Sequence, residues 1–240
     1  MASVGFSTGG LYTTGLPLDK RIKMYLSSGA DAIELSFLTA DELFQAKLSK
    51  ETIVNIKKFK YISIHAPGKN IRYNKDSAKA IINKLQEICS QIPVNGIVLH
   101  PDVVDDFQVL EKSNLPFLIE NMDKRKTSGT DVKYFEELKK KYNFGFVLDL
   151  QHVYEHDKSM KLAEQFIKIM GNRLKHMHVS GCTESDIHAP THSSSNREAI
   201  TKILKKSIDV PKILEGNLTG NTEEIMGKEL AYIRKYEKKD

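Results

Sequence analysis

Two hydrophobic periods alternate along the chain. Short apolar runs rich in Ile, Val and Phe recur at SVGF (3–6), AIELSF (32–37), YISIH (61–65), GIVLH (96–100), FLIE (117–120), GFVLDL (145–150), LKHMHV (174–179) and KILE (212–215). Runs of this length fit strands of a parallel sheet covered on both faces. Between them, apolar residues fall at i, i+3, i+4 and i+7, which predicts amphipathic helices. The clearest are LDKRIKMYLSSG (18–29), SAKAIINKLQEICSQI (77–92), VKYFEELKKKY (132–142), SMKLAEQFIKIMG (159–171), NREAITKILKKS (196–207) and TEEIMGKELAYIRKY (222–236). Gly29 and Gly171 stand where helices stop, and Ser77, Asp131 and Asn196 where helices start.

Eight strand–helix units in 240 residues, with no Pro/Gly/Ser-rich linker, predict an α/β chain folded as a single (β/α)8 barrel over residues 1–240. A doubly wound open sheet is the competing reading. It has fewer strands, and no GxGxxG follows the first run, where Gly9-Gly10 alone offer backbone to a phosphate.

Composition narrows the setting. Hydrophobic residues make up 40% of the chain, enough for a full core, and the mean hydropathy of −0.38 reads as soluble. No apolar run approaches bilayer length and Met1–Gly10 has no leader pattern, so a cytoplasmic protein without a membrane partner is expected. Cys89 and Cys182 form no CxxC pair, which fits a reducing compartment. Cys89 reads as a helix core residue and Cys182 as a loop residue without ligand duty. The net charge of +5 is spread over many segments. The runs KKFK (57–60) and KKK (139–141) fall at helix ends, where cations complement the dipole, so no nucleic-acid patch is implied.

The candidate chemistry lies at the carboxyl ends of the strands, where barrels place their sites. The third run ends at His65, the fourth at His100 and the fifth at Glu120. The sixth ends at Asp149 with His152 just beyond, the seventh at His178 and the eighth at Glu215. Imidazoles and carboxylates converging from six strands are the donor set of Zn²⁺, Mn²⁺ or Fe²⁺. Without a cation their carboxylates would repel one another. Glu34 sits inside its run and reads as a supporting group. The loop after the seventh run adds Asp186, His188 and His192, while His176 falls one layer below His178. His192 is expected to contact substrate or solvent. His152 and His156 are i, i+4, but HVYEH lacks the glutamate placement of HExxH, and His156 reads as surface.

The segments ISIHAP, VLHP, LIEN, LDLQH, HMHVSG, DIH and ILE, in this order and at barrel spacing, resemble the endonuclease IV (AP endonuclease family 2) branch of the xylose isomerase-like TIM barrel superfamily. The resemblance runs from the third strand to the eighth. It implies a metal-dependent hydrolase of DNA-repair type, in which a metal-activated hydroxide attacks a phosphodiester of abasic-site DNA or a related phosphate ester. It implies up to three Zn²⁺, or Mn²⁺ or another divalent ion. His65, His100 and Glu120 would hold one ion; Glu120, Asp149, His178 and Glu215 a second; His152, Asp186 and His188 a third. Glu120, bridging the first two, would be the catalytic residue. A monomer is expected.

Two departures bear on substrate. Where the repair enzymes carry a large stacking pair after the third-strand histidine, this chain reads Gly68-Lys69, with Arg72 and Tyr73 following as partial substitutes. The segment after DIH, APTHSSSN, lacks the glycine-rich stretch of the branch. The alternative reading is a metal-dependent sugar or sugar-phosphate isomerase or epimerase of the same superfamily. It would use the Glu120, Asp149, His178, Glu215 quartet with one ion and Glu120 and Glu215 for proton transfer. A barrel that binds metal or a partner without turnover is the third.

Overall fold

The computed structural model describes residues 2–206 and 208–236. Eight parallel strands close into a barrel in chain order, the last pairing with the first. They are β1 (Val4–Ser7), β2 (Ala32–Ser36), β3 (Tyr61–His65), β4 (Gly96–Leu99), β5 (Phe117–Glu120), β6 (Gly145–Asp149), β7 (Leu174–Val179) and β8 (Lys212–Leu214). Each follows the run that predicts it, to within a residue at either end. Such runs bury both faces: one against the helices outside, the other into the lumen.

Among the described residues, ten α-helices accompany the strands: α1 (Leu18–Ser27), α2 (Ala40–Gln45), α3 (Lys50–Ile56), α4 (Ala78–Gln91), α5 (Phe107–Glu111), α6 (Val132–Lys141), α7 (Leu150–His156), α8 (Lys161–Met170), α9 (Arg197–Leu204) and α10 (Thr222–Arg234). The six long helices match their patterns, although Ser207, at the end of one predicted span, lies outside the described residues. The short helices α2, α3, α5 and α7 carry too few turns to show a period. Thr39, Ser49, Asp106 and Asp149 start these four by accepting backbone N–H groups. Of the predicted caps, Asp131 accepts the N–H of Tyr134. Ser77 and Asn196 make no cap bond, because their side chains are engaged elsewhere. The Asn196 amide instead joins Gln151 to the backbone of Cys182.

The pleat, with its period of two, sets what lies under each strand-end residue. Val98, Leu118 and Val147, which form a small cluster of their own, are two residues before His100, Glu120 and Asp149. Ser63 precedes His65 and His176 precedes His178 by the same step, and Glu34 pairs in register with Ser63. One side of the lumen is therefore apolar and the other polar. The main apolar core lies outside the sheet, under the helices.

Candidate metal centre

The strand ends open into a cavity of about 430 Å³ lined by His65, His100, Glu120, His152, Asp186, His188 and Glu215 among others. Glu120 is its pivot. Its Oε2 lies 3.4 Å from His65 Nε2 and 3.2 Å from His100 Nε2. Its Oε1 lies 3.0 Å from His178 Nδ1, which is also 3.3 Å from Glu215 Oε2. The rings are turned by their other nitrogens: His65 Nδ1 meets the carbonyl of Ala66 at 3.1 Å, and His152 Nδ1 that of Asn121 at 2.9 Å. Asp149 uses Oδ1 to accept the His152 N–H at 2.6 Å, starting α7.

Two donor groups result, His65–His100–Glu120 and Glu120–Asp149–His178–Glu215. In each, the donor atoms lie within 4.8 Å of one another. Glu120 belongs to both. Whether they suit a divalent cation can be tested on the atoms themselves. Glu120 Oε2 and Asp149 Oδ2 are buried and meet no donor in hydrogen-bonding geometry among the described residues. Such atoms cost free energy unless a positive partner faces them. Ligand bonds near 2.1 Å in a tetrahedral set place donors about 3.4 Å apart, close to the separations here. The residues fit the group.

His152, Asp186 and His188 line the same cavity but do not form a donor group of that closeness among the described residues. Both Asp186 oxygens accept from the Asn217 amide, at 2.9 and 3.0 Å, and Oδ1 also accepts the His188 N–H. His188 Nδ1 sits 3.0 Å from the Ser180 hydroxyl. Of the contacts expected for His192, substrate or solvent, only the second is met: it is partly exposed and does not line the cavity. Its Nδ1 and its N–H bind the buried Glu229 of α10, at 2.7 and 2.8 Å, fastening the loop to that helix. A partner 37 residues away leaves no local trace in sequence. His156 is exposed, as expected.

The electrostatics follow from crowding carboxylates and imidazoles in a dry mouth. Burial pushes the Glu215 carboxyl up to about 8, helped by the charges of Glu120, Glu34 and Asp149. Burial opposes charge on His65 and His178 as well, but the adjoining carboxylates prevail: His65 rises to about 9, and His178 well above the usual imidazole range. Glu120 is held far below the usual carboxylate range against burial, chiefly by His178. Burial keeps the His100 and His188 rings below their ordinary value.

Residues 68–73 do not form a wedge. A Cβ on Gly68 would lie 3.2 Å from His100 Nδ1, so the backbone runs against that ring. Tyr73 is buried, its hydroxyl donating to Pro67 O, and Arg72 is paired with Asp105. Lys69 and Lys126 line the cavity, Lys126 with its ammonium 2.8 Å from Asp102 Oδ2. Gly9 and Gly10 line it too, on the 3₁₀ turn that follows β1. Among the described residues no helix is long and apolar enough to cross a membrane.

Comparison with known proteins places these features. The family described as xylose isomerase-like TIM barrel matches residues 22–236. No curated protein matches the chain. Among solved structures, endonuclease IV from Thermus thermophilus is 16% identical, with a TM-score of 0.72 over 98% of each chain. A D-tagatose 3-epimerase-like protein is 16% identical, with a TM-score of 0.71 over 98% of this chain and 96% of that one. The 3-keto-D-glucoside 4-epimerase of E. coli is 12% identical, with a TM-score of 0.68 over 98% of this chain and all of that one. At such identities the likeness is one of fold.

Proposed function

Starting from the fact that this chain belongs to the xylose isomerase-like TIM barrel family, we propose that it is a metal-dependent hydrolase of phosphate esters. The observation that carries the reading is Glu120, a single carboxylate common to two donor groups, with Oε2 toward His65 and His100 and Oε1 toward His178. These residues would hold divalent cations, and the chemistry such ions would supply, Lewis acidity toward a phosphoryl oxygen and toward water, suits phosphate-ester cleavage. His65, His100 and Glu120 would hold one, and Glu120, Asp149, His178 and Glu215 the other; Zn²⁺ suits the donors best and Mn²⁺ is the next choice. The chain itself supplies the rest. Lys69, which lines the cavity, favours an anionic substrate. The apolar floor of Val98, Leu118 and Val147 keeps water from reaching Glu120 from below. A cavity of about 430 Å³ with no bulky side chain at residue 68 favours a small phosphate ester over duplex DNA.

A second reading has its own observation. Glu120 and Glu215 both lie beside His178 Nδ1, at 3.0 and 3.3 Å, so two carboxylates share one mouth. Such a pair suits proton transfer in sugar isomerisation or epimerisation. One experiment separates the two. Unchelated protein is counted for metal, then assayed on bis(p-nitrophenyl) phosphate, a duplex with one abasic site and a panel of ketoses and sugar phosphates. Two or more ions with ester cleavage is the expected result. One ion with ketose interconversion and no cleavage overturns it in favour of the isomerase.

A further inference from the structure

The polar half of the lumen is unexplained by the two donor groups. Glu34, Ser63 and His176 are fully buried at the level where the opposite strands carry Val98, Leu118 and Val147. Burying such groups costs free energy unless each is paired, and their contacts converge on one ring. Glu34 straddles His178 Nε2, with Oε1 at 3.2 Å and Oε2 at 3.3 Å. The Ser63 hydroxyl donates to Glu34 Oε2 at 2.8 Å. His176 Nε2 is 3.1 Å from His178 Nε2, and His176 Nδ1 is 2.8 Å from the Tyr61 hydroxyl.

One placement of protons gives each ring contact a donor and an acceptor, while Glu34 Oε1, 3.2 Å from His178 Nε2, meets no donor in hydrogen-bonding geometry among the described residues. His178 carries its proton on Nε2 and donates it to Glu34, with His176 Nε2 as a second acceptor. His176 carries its own on Nδ1 and donates to Tyr61. With His178 Nε2 so engaged, Nδ1 is the ring nitrogen that faces the donor group, 3.0 Å from Glu120 Oε1 and 3.3 Å from Glu215 Oε2. We propose that Glu34 is a positioning residue of the metal centre: it fixes the tautomer and tilt of His178 from beneath, so that Nδ1 is presented as a ligand. Carboxylates behind ligating imidazoles fix ring orientation and raise ligand basicity in this way.

The trio Glu34, His176 and His178 is itself close enough to hold an ion. That arrangement would strip His178 of both ring protons once the Glu120–Asp149–His178–Glu215 group is filled, and it would displace the hydrogen bonds just described. The support role needs neither. The inference rests on the metal centre of the proposed reading and on no choice of substrate.

The test uses metal-free protein titrated with Co²⁺, whose visible absorption reports coordination, and ¹⁵N-histidine-labelled protein loaded with Zn²⁺. Long-range ¹H–¹⁵N spectra of the loaded wild type should show His178 protonated on Nε2 and ligating through Nδ1. Glu34→Leu should weaken the ion that uses His178 by about 10- to 100-fold, leaving the ion at His65 and His100 unchanged. Glu34→Gln keeps the shape and an accepting oxygen, so it should recover most of that loss and serves alone if the leucine variant does not fold. A proton on Nδ1 in the loaded wild type overturns the proposal. So does undiminished Co²⁺ affinity in Glu34→Leu, or an additional ion lost in Glu34→Gln while the other two remain. Ion binding with the predicted tautomer but no ester cleavage refutes the hydrolase reading and leaves this one standing.

Discussion

The mouth of the barrel offers donors of two kinds. Those on the strands (His65, Glu120, Asp149, His178 and, just past strand ends, His100 and Glu215) are carried by a sheet whose hydrogen bonds fix their spacing. Those in the loop after β7, Asp186 and His188, are carried by a segment that holds itself together. The strand set keeps buried oxygens unpaired on Glu120 and Asp149, whereas the loop set has committed Asp186 to Asn217 and His188 to Ser180. The loop is closed by backbone pairs, Gly181 with Ala189 in both directions and the Thr183 N–H to Asp186 O, and its donor side chains are drawn into the same local bonding. Readiness to bind therefore follows the carrier more than the residue type.

The sharpest way to break this contrast is Glu120→Gln. If the strand set is the working centre, metal stoichiometry falls and turnover drops by on the order of 1,000-fold, with circular dichroism unchanged. Retained turnover would mean that the loop set works alone.

A smaller effect sharpens it through pH. Glu215 binds a proton more tightly folded than unfolded, about 8 against an ordinary 4.5. Its contribution to metal-free stability is thus complete below 4.5 and is lost as pH rises towards 8. His65 and His178, raised from 6.5, add to the decline above that value. Metal binding must expel the same protons, so affinity should rise about tenfold per pH unit for each proton released. Below pH 6.5 the depressed His100, His176 and His188 offset Glu215, so the melting temperature of chelated protein should fall only above that value while Zn²⁺ affinity climbs, and Glu215→Gln should flatten both slopes. Parallel slopes would contradict the assignment.

The smallest effect belongs to the loop. Asp186→Ala removes the anchor to Asn217 and to the His188 N–H, about 1 kcal/mol, or a fall of about 2–4 °C in melting temperature. The two strand-end ions should remain. Loss of one ion would show that the loop donors also bind, and the contrast would need redrawing.

The same division explains what is legible in sequence. Strands visible as apolar runs bring their terminal residues with them, so the pattern alone gathers His65, His100, Glu120, Asp149, His178 and Glu215 at one end of the barrel. Glu34 is visible only as a carboxylate inside AIELSF. Its inward register is the usable sign, but the rings it meets lie on β7, 144 residues on. His192 defeats the local pattern because its partner, Glu229, sits on a distant helix face. The short helices escape because five to seven residues show no period.

The sharing of protons between rings and carboxylates has one more consequence. In chelated protein near neutral pH, charged His65 and His178 lie against the ionised Glu34 and Glu120. Protons on these rings would thus stand in for the cations of the proposed centre, unlike small metal-folded domains that come apart when stripped. Stripping that centre should leave the barrel folded, and refilling it would exchange one kind of positive charge for another.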